Sequence, residues 1–204
     1  MMSKEQRICT CQAAEPMPQV YRFDSETDPD IDVVDVNDNT YKCHKAVLSQ
    51  SEVLAKSFDP QLGFKESKEG VIALTHDDPS EVKAMLDYLY SKDYSSPYGE
   101  KEESLLFHVS VYTLGEIYAI NGLKEHAKKR FWLAGEYIKK SHILASAIQA
   151  VYEATPESDK GLRDVVVIMA KRQIEQHMKN REFREMMDGL GQFGKDLVAG
   201  SSVS

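Results

Sequence analysis

The hydrophobic positions change period near residue 44. Before it, "IDVVDV" (31–36) sets Ile31, Val33 and Val34 among aspartates, "NDN" (37–39) is a turn signal, and "TYKC" (40–43) is a second short β-rich run. Two such runs around a polar turn predict a β-hairpin. After it, "HKAVLSQSEVLAKSF" carries Ala46, Val47, Val53, Leu54 and Phe58 at helical spacings with a break near Ser49–Ser51, so two short helices are predicted, Ser51 capping the second. "DPQLGFKESKEG" (59–70) reads as a loop from its Pro and Gly, and "VIALT" (71–75) as a strand. A helix then opens at Asp77 or Asp78 with Pro79 in its first turn, and Val82, Met85, Leu86, Leu89 and Tyr90 mark its buried face.

Beyond the polar stretch "SSPYGEKEE" (95–103) every pattern is helical. Phe107, Val111, Leu114 and Tyr118 line a helix flanked by Leu105, Leu106 and Val109, apolar on most sides and so expected to be central. "NG" (121–122) is expected to end it. Leu123, Ala127, Phe131, Ala134 and Ile138 mark the next helix, and Ile143, Ala147, Val151 and Ala154 another. "TPESD" (155–159) reads as a stop and restart, with Thr155 as cap and Pro156 at the first helical position. Leu162, Val165, Val166, Met169 and Ala170 form one further stripe; Phe183, Met187, Leu190, Phe193 and Leu197 form the last. Residues 1–19 are polar, hold two prolines and keep no period, so a disordered leader is expected there; "VYRF" (20–23) is a candidate strand, and 200–204 should fray. The expected fold class is α+β, a short sheet against a helical cluster followed by an all-helical extension. The strands are too few and short for a doubly wound nucleotide-binding sheet.

Composition narrows the partners. A formal net charge of −8 disfavours nucleic acid and anionic membrane surfaces, which need clustered Lys and Arg. No window approaches the roughly 20 apolar residues of a membrane span, and no signal-peptide core precedes "VYRF". Three cysteines, Cys9, Cys11 and Cys43, do not suggest a disulfide framework. The expected location is the cytoplasm, the nucleus or both.

Candidate chemistry is sparse. Cys43 and His44 stand side by side, and with Cys9 and Cys11 they make four zinc ligands on paper. Cys9-x-Cys11 is tighter than the usual spacing, and neighbours in a strand point to opposite faces. The same geometry disfavours a Cys–His nucleophilic pair. The simpler reading makes Cys43 a small buried hydrophobe and leaves His44 tying backbone groups at a strand-to-helix junction. "DGLGQFGK" (188–195) lacks the strand and the Ser or Thr of a phosphate loop. "DSETDPD" and "HDD" lack the ordered spacing of a calcium loop. "HAKKRFW" (126–132) reads mainly as a solvated helix face. No catalytic residue, metal, cofactor or small-molecule substrate is expected. "GFKES" (63–67) supports two readings: Phe64 folds back onto the core, or it is an exposed anchor for a protein partner with Glu66 setting polarity.

"TYKCHKAVLSQSEVLAKSF", "GFKES", "GVIALTHDDPSEVKAMLDYLYSKDY" and "VYTLGEIYAINGLKEHAKKRF" together, in that order, resemble a BTB (POZ) domain over about residues 28–138. "AIQAVYEATPESDKGLRDVVV" is similar to the helical extension of filamentous-fungal BTB proteins. The resemblance implies a BTB unit over 20–138, an extension over 139–199, and a protein-interaction module without catalytic activity. Many family members dimerise, and many are cullin-3 adaptors of a ubiquitin ligase. Phe64-Lys65-Glu66 matches the cullin-facing loop pattern, Tyr118 the tyrosine that contributes beside it, and Asp32 and His44 the architectural pair. The chain departs from the family in Ile31 before Asp32, in Leu54 where Phe is common, and in the insert at 95–103. No kelch repeats, MATH domain or zinc fingers appear in the sequence. The extension is then expected to recruit substrate; the alternative is a homo- or hetero-dimerising scaffold, linked to transcription, without cullin binding.

Overall fold

The computed structural model describes residues 28–99 and 101–199; the expected leader, "VYRF", Cys9, Cys11 and the last five residues lie outside them. The hairpin forms as expected. Strand β1 (Ile31–Asp35) pairs antiparallel with β2 (Thr40–Cys43), Asp32 opposite Lys42. Strand β3 (Val71–Leu74) adds to the other edge of β1 in parallel, Val33 opposite Ile72, giving the order β2-β1-β3. Alternation puts Ile31, Val33 and Asp35 on the buried face of β1. Asp35 would be costly there if unpaired. Its carboxylate instead accepts from Asn37 N, Asn39 N, Asn39 Nδ2 and Tyr41 Oη at 2.9–3.0 Å, closing the turn. These bonds hold its pKa below the usual value although burial alone would raise it.

The crossover from β2 to β3 carries α1 (Lys45–Leu48), α2 (Glu52–Ser57) and α3 (Lys65–Glu69). Ser51 caps α2 by accepting from Leu54 N at 3.0 Å. Val47, Leu48 and Leu54 are buried, whereas Ala46 and Val53 of the same apolar pattern are exposed. Residues 65–69 correct the loop reading: KESKE forms a single polar turn of helix, stopped by Gly70 at φ 68°. Asp78 caps α4 (Pro79–Ser91) by accepting from Ser80 N at 2.8 Å, with Pro79 in its first turn. After a 3-10 turn (Glu102–Ser104) come α5 (Leu105–Ile117) and α6 (Asn121–Gly135). "NG" does not end α5; it opens α6. The break lies before it, where Ala119 takes φ 52° and Ile120 N returns to Gly115 O at 2.7 Å.

The extension is α7 (Ser141–Ala154), α8 (Gly161–Arg172), α9 (Ile174–His177), α10 (Arg181–Gly189) and α11 (Gly191–Ala199). Three expectations are corrected here. The buried face of α7 runs through Leu144, Ala147, Ile148 and Val151, while Ile143 is half-buried and Ala154 exposed. The last stripe is two helices, broken at Leu190. Thr155 ends α7 rather than starting α8: its hydroxyl donates to Val151 O at 2.6 Å, and α8 begins at Gly161. The extension packs onto the rest of the core through α7 on α5 and α8 on α6. Asp159, in the α7–α8 loop, accepts from Tyr112 Oη at 2.8 Å and pairs with Lys124 Nζ at 2.9 Å. A Cβ on Gly161 would collide with the Tyr112 hydroxyl, so glycine is required at this junction.

His108 sits fully buried in α5, between Tyr94 Oη on Nδ1 (2.8 Å) and Ser104 Oγ on Nε2 (3.1 Å). Ser104 Oγ donates to Lys101 O at 2.7 Å, so the neutral tautomer protonated on Nε2 satisfies all three groups. Burial, followed by the nearby Arg130 and His126, depresses its pKa to about 4. The unfolded chain therefore binds a proton that the native state refuses. This group's stabilisation is complete above its ordinary pKa of about 6.5 and is lost as pH falls toward 4. Urea unfolding from pH 7 to 4 should show the slope of stability against pH flattened in His108→Gln relative to wild type. Parallel curves would refute the assignment.

Candidate protein-interaction surface

Two glycines in the left-handed region, Gly63 and Gly70, both at φ 68°, bracket the one-turn helix α3 and set its direction. Phe64 precedes α3 as its N-cap, at φ −62° and ψ 154°. Its side chain is 48% exposed, and neighbouring Leu62 is 51% exposed. Phe64 therefore does not fold back onto the core, and its ring stays exposed. Ser67 Oγ donates to Phe64 O at 2.7 Å, which fixes the turn. Lys65 pairs with Glu69 at 3.4 Å on the solvent side. Glu66 is half-buried and has no ion pair among the described residues. Phe64 and Glu66 thus present a ring and a carboxylate from one turn of helix.

Tyr118 is placed differently. It closes α5 and is nearly buried, with its hydroxyl donating to Asp77 Oδ2 at 2.6 Å. Burial and then the Asp77 carboxylate raise its phenol pKa well above the ordinary value. Its carbonyl accepts from Ser51 Oγ at 2.6 Å. Tyr118 thereby joins the end of α5, the turn before α4 and the cap of α2. Asp77 also borders a groove of about 500 Å³ between the start of α4, α5 and α7, floored by Leu106, Leu114 and Ile117 and rimmed by Asp78, Glu81 and Glu153. Burial raises the Glu81 pKa against the bond from Ser110 that lowers it.

Asp32 and His44 occupy framework positions. Asp32 pairs with Lys42 at 2.9 Å directly across the hairpin, and its backbone N donates to Gly70 O at 2.9 Å. This exposed pair orders the sheet edge and contributes little energy. His44 is 2% exposed. Tyr90 Oη accepts from its backbone N at 2.9 Å and shares a hydrogen bond with Nδ1 at 2.8 Å. The ring thus ties the strand end to α4 through the Tyr90 side chain. Cys43 is fully buried beside them, a site closed to solvent. The two neighbours do not diverge: His44 follows the end of β2 as the N-cap of α1, and the Cys43 thiol and the His44 ring both meet the Tyr90 hydroxyl. Among the described residues no three His, Cys, Asp or Glu side chains converge on a metal position.

Sequence reasoning missed Asp35, the better-integrated acid of the hairpin, for which the Asp-x-Asn-x-Asn spacing of 35–39 was the available signal. It named Tyr90 and Asp77 for the helix but missed their bonds to His44 and Tyr118, 46 and 41 residues away.

The family model described as BTB/POZ domain matches residues 23–131, more than half of the chain. The chain belongs to the BTB/POZ family. No curated protein matches it. The three-stranded sheet against a helical cluster, with further helices behind, is the BTB arrangement with a helical extension. BTB domains are protein–protein interaction modules. No helix among the described residues is long and apolar enough to cross a membrane.

Proposed function

We propose that this BTB protein is a substrate adaptor for a cullin-3 ubiquitin ligase. It would meet the cullin through Phe64, Lys65 and Glu66, with Tyr118 contributing by holding the end of α5 to Asp77 and Ser51. The observation that carries the reading is Phe64, nearly half exposed at the head of a one-turn helix flanked by two left-handed glycines. A desolvated aromatic anchor flanked by a lone carboxylate is the chemistry of an interface hot spot. Residues 20–138 would form the BTB unit and 139–199 the recruiting extension, acting in the cytoplasm or nucleus.

Calorimetric titration with the N-terminal domain of cullin-3 tests this. Wild type should bind at micromolar dissociation constant or tighter. Phe64→Ala should weaken binding about 30-fold, the equivalent of roughly 2 kcal/mol, and Glu66→Lys should abolish it. Both side chains reach solvent, so both variants should unfold at the wild-type urea midpoint. Failure of wild type to bind would reject the adaptor reading in favour of a homo- or hetero-dimerising BTB scaffold.

A further inference from the structure

A second groove, of about 530 Å³, runs between α7 and α10, wholly within the extension and outside the matched BTB region. One wall is a single face of α7: His142, Ser146, Gln149 and Glu153 stand at i, i+4, i+7 and i+11. The other is a face of α10: Glu182, Glu185, Met186 and Gly189 stand at i, i+3, i+4 and i+7. The floor is apolar, made by Ala145, Met186 and Leu190. At 1.5 Å per residue the α7 wall is about 16 Å long, three turns of a helix. At its far end a Cβ on Gly189 would meet no atom within 4 Å, so the groove stays open there.

The rim charge has one sign. Glu153, Glu182 and Glu185 border the groove, and His142 is its only basic lining residue. The cations of α10 are engaged elsewhere or weakly: Arg184 Nη1 donates to Met178 O at 2.9 Å, and Arg181 approaches Glu185 only at 3.5 Å, with both side chains largely in solvent. Glu182 has no ion pair among the described residues, and Glu153 accepts only from the neutral Gln149 amide at 2.8 Å. An apolar floor between carboxylate rims complements an apolar stripe flanked by cations.

We propose that the α7/α10 groove is a docking site for a partner protein's amphipathic helix, about three turns long, with Lys or Arg flanking its apolar face. Its small apolar residues lie on Ala145 and Leu190, and its cations face Glu182, Glu185 and Glu153. The site is independent of the Phe64 surface and holds whether or not a cullin binds there.

The probe is a synthetic, acetylated Leu/Lys amphipathic helix of about 14 residues, titrated into the full chain by fluorescence anisotropy and mapped by amide chemical shifts. Saturable binding is expected, with shifts concentrated on α7 and α10. The Glu182→Lys/Glu185→Lys variant should weaken it at least about tenfold, and Ser146→Trp should block it from the middle of the α7 wall. The charge-matched control Glu52→Lys/Glu157→Lys, at exposed positions outside the groove, should bind like wild type. All four carboxylates are exposed, so neither double variant should disturb folding. No binding would overturn the proposal; so would equal loss in the two double variants or shifts centred elsewhere, which would reduce the probe's attraction to the chain's net charge.

Discussion

Gly115→Val is expected to destabilise the protein by about 3 kcal/mol, at the upper end for overpacking a close-packed interior. Gly115 is buried where α5 crosses α6, and a Cβ there would lie 2.9 Å from Lys124 N and 3.2 Å from Lys124 Cα. These are backbone atoms, so no side-chain rotation relieves the contact; α6 has to move. Lys124 N already donates to Ile120 O at 3.1 Å, and Lys124 Nζ pairs with Asp159 of the extension. Moving α6 therefore loosens the joint between the BTB core and α8 as well. Gly115→Ala introduces the same Cβ but recovers up to about 1 kcal/mol of helix propensity, so its net loss should be smaller, about 1–2 kcal/mol. Urea unfolding of both variants gives the comparison. A Gly115→Ala protein as stable as wild type would show that the two helices separate without cost, contrary to the geometry.

Glycine at 115 also shows what the sequence could and could not reveal. The period of the apolar residues located the hairpin, β3 and all the long helices, because burial of a face leaves a repeating trace. The resemblance of "TYKCHKAVLSQSEVLAKSF" and its companions assigned the family. Local polar chemistry was legible where a cap sits within three residues of its partner, as at Ser51 and Asp78. It failed where the same residue type serves either end of a helix: Thr155 before Pro156 looks like a start, yet its hydroxyl bonds backwards to Val151. The turn of α3 was hidden because KESKE has no apolar stripe; Gly70 and the capping geometry of Phe64 hold it. The exposure of Phe64 was undecided because a lone aromatic in a polar loop carries no period. The α7/α10 groove was invisible for a related reason. Its walls are the outward faces of two helices, written in ordinary surface residues, and only their packing brings Glu153 and Glu182 to one rim.

The largest effect expected in the extension is at Arg163. It is a guanidinium 5% exposed on α8, with no carboxylate in ion-pair reach among the described residues. It serves the end of α7: Nε donates to Thr155 Oγ1 at 3.0 Å, Nη2 to Thr155 O at 2.5 Å and to Tyr152 O at 3.4 Å, and the group lies 4.4 Å from the centre of the Tyr152 ring. These carbonyls are the free acceptors that any helix leaves at its C-terminus, where a cation is also favoured by the helix dipole. Nη1 is buried without a partner, so part of the desolvation cost is not recovered. Arg163→Ala removes the donors, strands buried carbonyls and opens a cavity, and should cost about 3–4 kcal/mol. Arg163→Met keeps most of the volume and sheds the desolvation cost, leaving a loss of about 1–2 kcal/mol. Arg163→Lys keeps the charge but cannot reach three acceptors from one nitrogen, and should fall between them. The order Ala, Lys, Met in increasing stability, read from urea midpoints, is the diagnostic result. If Met were as damaging as Ala, the contribution would be the charge-assisted bonds alone; if Ala were within about 1 kcal/mol of wild type, the α7 terminus would not depend on Arg163. Because α7 supplies a wall to both grooves, this guanidinium also sets the position of those two surfaces.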